Sequence, residues 1–82
     1  MSARELRTYS VFGFSTTHSA LDAERLLKDL GVAVTPIPVP KVLGGALCGI
    51  ALRLELSDVE RAETLLERAG IPLAARGEMQ DV

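Results

Sequence analysis

Cys48 is the one thiol in the chain, and three of the four prolines (Pro36, Pro38, Pro40), Lys41 and the pair Gly44-Gly45 stand just ahead of it, with Gly49 directly after. A thiol acts as a nucleophile only as the thiolate, so its chemistry depends on what holds negative charge on the sulfur. A helix N-terminus does this, because its first N–H groups lack partners and its dipole end is positive. The run Ser15-Thr16-Thr17-His18-Ser19 offers several N-cap hydroxyls ahead of an amphipathic segment. Lys41 supplies a cation in the same loop as Gly44 and Gly45. Gly44, Gly45 and Gly49 let the backbone approach a bound group closely. Such a set suits a nucleophilic thiol, a persulfide or selenide carrier, or an anion pocket. Free cysteine is also a common core residue that behaves as a small hydrophobe, and that reading stands beside the others.

The remaining polar residues narrow the chemistry. A Cys48–His18 pair would want a third group to orient the imidazole, and Asp22, one turn on from His18, is the only near candidate. One cysteine and one histidine do not make a zinc site, so no metal is expected. No phosphate-binding loop is present, and Gly44-Gly45 with Gly49 is not a dinucleotide fingerprint. Arg53 stands in an otherwise apolar run. It is expected to pair with Glu55, with a helix carboxylate or with a partner subunit, or to snorkel to the open face of a sheet.

The composition sets outer limits. Nine Lys/Arg against eleven Asp/Glu leave a net charge of −2, with no basic run to neutralise phosphates, which argues against nucleic acid as a partner. The 82 residues, 48% hydrophobic, make one domain with a thin core, and dimerisation is a natural supplement. A single cysteine cannot form an internal disulfide and fits a reducing compartment. The first residues carry no apolar signal-peptide core, and no apolar run approaches the length of a membrane span. The expectation is a cytoplasmic protein.

The elements that would position these groups follow from periodicity. Residues 7–14, with Tyr9, Val11, Phe12 and Phe14, read as a central strand with apolar groups on both faces. Ala20, Ala23, Leu27 and Leu30 give a helical stripe over 17–30, widened by Leu26 and stopped by Gly31 in the left-handed conformation. Residues 32–39 read as a strand whose Pro36 and Pro38 confine it to an edge. A loop over 41–47 leads into a third strand, from Cys48 or Gly49 to Leu56. Ser57 and Glu60 form a capping-box signature for a second helix, with Val59, Ala62, Leu65, Leu66 and Ala69 as its buried stripe and Gly70 as its stop. Residues 71–75 read as a short fourth strand. The ends, 1–6 and 76–82, read as loose tails on a core of about 7–75.

The two helices align without a gap. Residues 23–31 and 62–70 share Ala, Glu, Leu, Leu and Gly at matching positions. Each helix lies between two strands, so the order is βαββαβ. This is an α+β, ferredoxin-like split βαβ fold: a four-stranded antiparallel sheet with two helices on one face. In that arrangement strands one and three are antiparallel neighbours at the centre. Cys48, at the start of the third, then falls at the same end of the sheet as Ser15, Thr16, Thr17 and His18.

With these residues in view, the chain resembles the selenium/sulfur-carrier-like family of small domains. Ser15-Thr16-Thr17-His18-Ser19-Ala20-Leu21 is similar to the family's helix opening, and Ala23-Glu24-Arg25-Leu26-Leu27-Lys28 to the segment after it. Pro36-Ile37-Pro38 with Pro40-Lys41 resembles its Pro-x-Pro and basic residue. Cys48-Gly49-Ile50-Ala51-Leu52-Arg53 resembles its most specific run. The likeness spans about residues 8–73. Gly44-Gly45-Ala46-Leu47 departs from the Ser-rich loop expected before the cysteine, so backbone N–H groups would have to replace hydroxyl donors. The resemblance implies a non-enzymatic carrier centred on Cys48, with no resident cofactor beyond a transient persulfide or selenide. It also implies a sulfur or selenium donor or acceptor protein as partner. Two alternatives remain open on the residues alone: an interaction or small-ligand module in which Cys48 is packing, and a thiol enzyme using Cys48 and His18.

Overall fold

The computed structural model describes residues 5–45 and 47–81. Its elements are β1 (Arg7–Gly13), α1 (Thr17–Asp29), β2 (Val34–Pro38), a 3-10 turn (Lys41–Leu43), β3 (Ile50–Glu55), a second 3-10 turn (Leu56–Asp58), α2 (Val59–Arg68) and β4 (Ala75–Asp81). The strands form one antiparallel sheet in the order β2-β3-β1-β4, so β1 and β3 are central and the ferredoxin-like topology read from the element order is present. Among the described residues no helix is long and apolar enough to cross a membrane.

The two faces of the sheet are covered differently. On one, Phe12, Phe14, Val34, Leu52 and Leu54 pack with Ala20, Ala23 and Leu27 of α1 and with Ala62 and Leu66 of α2. Alternation along the strands puts Tyr9, Val11 and Ala51 on the other face, and they are buried as well. Side chains from three segments cover them, with Arg7 lying 5.2 Å above the Tyr9 ring. The Arg53 guanidinium lies 4.4 Å above the Tyr9 ring and reaches across it to Asp81 of β4, Nη1 to Oδ2 2.6 Å. Leu43 and Leu47 fold over the rest: they bring methyl groups to within 3.0 and 2.9 Å of where a Cβ would stand on Gly13, and Leu43 sits equally close over Gly77. Glycine in a strand interior often marks such a close approach.

Helix ends follow the sequence in three of four cases. Thr16 N-caps α1, its hydroxyl accepting from the Ser19 N–H at 3.1 Å. Gly31 and Gly70 take φ of 84° and 73°. In each case the next residue donates back into the last turn, Val32 to the Leu27 carbonyl at 2.8 Å and Ile71 to Leu66 at 3.0 Å, closing Schellman motifs. The Ser57–Glu60 capping box does not form. The chain leaves β3 through the 3-10 turn Leu56–Asp58, and α2 grows out of that turn with Asp58 at its N-cap in helical conformation and no side-chain cap bond. Ser57 is thereby one residue too early to cap.

The fourth strand also departs from the sequence reading. Residues 71–74 are a connection whose Ile71 and Leu73 pack on the core. The strand is Ala75–Asp81, paired with β1 from Gly13↔Ala75 to Arg7↔Asp81. A polar sequence suffices there because β4 is an edge: its residues alternate between half-buried and exposed, and none is fully buried. Residues 76–81 are therefore strand rather than loose tail. Residues 1–4 and Val82, the outer parts of the expected tails, lie outside the described residues. Leu30, read as part of the α1 stripe, is exposed at the C-cap instead, where its carbonyl accepts from Arg61 of α2.

Candidate functional site

Cys48 enters the structure through its backbone. Its N–H donates to the Phe14 carbonyl at 2.9 Å, which ties the residue before β3 to the residue after β1. Phe14 is two positions ahead of the Thr16 N-cap, so the chain around Cys48 and the opening of α1 share one end of the sheet. Cys48 has the same parity as Ile50, Leu52 and Leu54, and its half-buried side chain packs against the core on the helix face. The Sγ donates to the Ile50 carbonyl at 3.1 Å. In this geometry the Ile50 carbonyl takes up the Sγ and its hydrogen. Reaction requires the sulfur to leave the Ile50 carbonyl, which accepts only a weak S–H bond.

The α1 end has room for an anion. Ser19 donates to the Thr16 hydroxyl, and Thr16 in turn donates to Ser19 Oγ at 3.0 Å. The N–H groups of Thr17 and His18 have no acceptor among the described residues, as expected of a first turn. That turn carries no acidic side chain, so nothing there compensates the positive end of the dipole. Ser15, Thr16, Thr17 and His18 are all exposed.

The other sequence candidates are placed less closely. The His18 side chain is 88% exposed and its Nε2 lies 3.1 Å from Asp22 Oδ2, the group expected to orient it, but it does not hydrogen-bond to the thiol. Lys41 is exposed at the start of the first 3-10 turn, in the segment that covers the opposite face of the sheet from Cys48. Gly44 and Gly45 adopt φ of 55° and 68°, a region that side chains disfavour, so here glycine is demanded by the turn itself. Gly49 is exposed, and nothing lies within 4 Å of where a Cβ would stand on it, so space for close approach exists beside the thiol. Arg53 has found Asp81 rather than Glu55 or a helix carboxylate, while Glu55 pairs with Arg7 at 2.7 Å.

Three surface hollows, of about 250, 320 and 650 Å³, lie along α2 and between α2 and β4. None is lined by Cys48, so the thiol is not at the floor of one of them. What the sequence reading missed is the seat of the loop. Leu43 and Leu47 anchor it over Gly13 and Gly77, and the Phe14 carbonyl holds its far end. Gly13 inside an aromatic strand was the signal available for it.

Comparison with known proteins agrees with the residue-level likeness. The family model described as "Putative Se/S carrier protein-like" matches residues 9–75, which takes in β1 through the start of β4 and includes Cys48. No curated protein and no solved structure matches the chain. The chain belongs to the Se/S carrier-like family.

Proposed function

We propose that this member of the Se/S carrier-like family is a non-enzymatic carrier that holds sulfur or selenium on Cys48 and passes it between partner proteins. The observation that supports the reading is the 2.9 Å bond from the Cys48 N–H to the Phe14 carbonyl, which keeps the thiol at the sheet end where α1 begins. In the proposed cycle the Cys48 thiolate attacks the terminal sulfur of a donor persulfide, R–S–SH. The new bond is Cys48 S–S, the donor S–S bond breaks, and its electron pair leaves on R–S⁻. Selenium in the terminal position follows the same balance. An acceptor thiolate then attacks the terminal atom and Cys48 departs as thiolate, so the chain needs no resident cofactor and no redox partner. The unpaired amides of Thr17 and His18, with the open backbone at Gly49, are the groups proposed to favour the anionic sulfur. The donor and acceptor are thiol proteins rather than nucleic acid, and the working compartment is a reducing cytoplasm.

Intact mass after incubation with a persulfide donor tests the cycle. The full chain should gain one sulfur atom, reversibly with thiol, and Cys48→Ser should gain none. A wild-type chain that gains no mass, at donor levels that modify an unfolded-peptide thiol, overturns the carrier reading.

One observation favours a second reading. The Sγ bond to Ile50 and its packing on the core are what a structural cysteine would show. In that case Cys48→Ala would destabilise the fold while leaving partner binding intact, and the protein would be an interaction or small-ligand module.

A further inference from the structure

The two edges of the sheet are not equivalent. Phe14 turns its carbonyl toward Cys48 on the β3 side, while Gly13 turns its carbonyl toward the Ala74 N–H on the β4 side, each at 2.9 Å. Backbone groups alternate sides along a strand. The odd residues of β1 therefore bond β4 and the even ones bond β3. Carried across the registers, this puts the backbone bonds of β2 at Thr35↔Arg53 and Ile37↔Ala51, and leaves Pro36 and Pro38 facing outward. Proline cannot donate, so the assignment agrees with the residue types. The β2 edge is closed to further pairing.

The same alternation at the other edge gives the opposite result. Ala75, Gly77, Met79 and Asp81 bond β1, and Arg76, Glu78 and Gln80 point their N–H and C=O groups outward. This edge is seven residues long and carries no proline. We propose that it pairs with the β4 of a second copy of this chain, antiparallel about a two-fold axis through Gly77, giving a continuous eight-stranded sheet.

Charge selects both the partner and the register. Only even residues face outward, so the symmetric registers centre on residue 76, 77 or 78. Centring on 76 sets Arg76 against Arg76, and centring on 78 sets Glu78 against Glu78, each with like charges opposed. Centring on 77 sets Arg76 of each copy against Glu78 of the other, twice, in hydrogen-bonded pairs. Glu78 is exposed and has no hydrogen bond or ion pair among the described residues of its own chain. Arg76 is exposed with Glu63 at 2.8 Å, and keeps that contact while facing Glu78 of the other copy. The axis then runs through a Gly77–Gly77 pair. Val42 is 62% exposed, with its Cγ1 3.6 Å from where a Gly77 Cβ would stand. The missing side chains at the axis leave room for the two Val42 side chains to meet. An exposed valine over a glycine thus gains an apolar partner, and a thin 82-residue core gains a second half. The interface does not involve Cys48 and stands or falls apart from the carrier reading.

Sedimentation equilibrium of the full chain in excess reductant, over a wide concentration range, tests the proposal. The wild type should sediment as a dimer of the 8.8 kDa chain. Glu78→Arg should weaken association at least about tenfold, since it turns two attractive cross-strand pairs into repulsive ones. The double exchange R76E/E78R, made together with E63Q so that position 76 meets no like charge on α2, restores the complement and should recover the dimer. A wild type that is monomeric throughout overturns the pairing. So does a Glu78→Arg protein that dimerises as tightly as wild type, or a double exchange that fails to recover. Hydrogen exchange at the Arg76 and Glu78 amides gives a second readout: it should slow with rising wild-type concentration, and equal rates in dilute and concentrated samples would overturn the proposal as well.

Discussion

Replacing Gly13 by alanine tests whether the loop that carries Cys48 is seated where the structure puts it. Gly13 is buried on β1 and does not have positive φ, so the backbone accepts a side chain there. The new methyl would stand 2.9 Å from Leu47 Cδ1, 3.0 Å from Leu43 Cδ1 and 3.5 Å from Ala75 Cβ. Comfortable carbon contacts lie at about 3.5–4.0 Å, so both leucine termini must retreat by roughly 0.5–1 Å while Ala75 need not move. Overpacking of this kind costs about 1–3 kcal/mol. Restricting the unfolded chain by Gly→Ala returns about 0.4–1 kcal/mol. The net loss is about 1 kcal/mol, within a range of about 0–2.5, and for a domain of this size each kcal/mol lowers Tm by about 4–8 °C. The discriminating measurement is a double-mutant cycle with Leu47→Ala, which removes the nearer of the two methyls that collide. The two changes should couple favourably by at least about 0.5 kcal/mol, because the cavity left by one is filled by the other. Exchange of the Cys48 N–H should quicken in Gly13→Ala and recover in the double variant. Additive energies together with unchanged Cys48 exchange would refute the seating of Leu47 on β1.

Three further outcomes follow from the same geometry. Thr16→Ala should cost about 1 kcal/mol by loss of the α1 cap, whereas Ser57→Ala should change urea stability by less than about 0.5 kcal/mol because Ser57 caps nothing. Equal losses would show that α2 is capped by Ser57 after all. Deleting residues 75–82 strips β1 of its whole β4 partner and exposes Tyr9 and Val11, so the circular-dichroism signal of the folded domain should be lost; a truncated chain with wild-type Tm would return β4 to the status of a tail. His18→Ala should leave the Cys48 alkylation rate within about twofold of wild type, since the imidazole is turned to Asp22 and solvent. A drop of tenfold or more would reinstate a Cys48–His18 pair.

The fold was legible wherever apolar periodicity or backbone-special residues mark an element. Gly31, Gly70, Pro36 and Pro38 each impose a backbone condition that few places in a sheet-and-helix fold can meet, and each is where that condition is met. β4 failed this kind of reading for a definite reason. Its stabilisation comes from backbone pairing to β1 and from ion pairs at its ends, Arg53–Asp81 and Arg76–Glu63. None of these leaves a periodic apolar trace in residues 75–81. The Ser57–Glu60 signature failed because capping depends on where the helix begins, and one 3-10 turn shifted that start by a residue.

The site was legible to the level of the backbone and no further. Element order alone brings Cys48 to the end of β1, and the Phe14 carbonyl meets it there. Side-chain direction depends on parity, and parity sends the cysteine toward the core while the Lys41 segment goes over the opposite face. The prolines, the two glycines and the thiol, contiguous in sequence, therefore serve three different surfaces: an edge, a cover for the open face, and the helix side of the sheet. Leu47 is seated over Gly13, and the next residue, Cys48, is bonded to Phe14, the residue after Gly13. Displacing Leu43 and Leu47 from Gly13 should consequently be felt at the Cys48–Phe14 bond, as faster exchange of the Cys48 N–H.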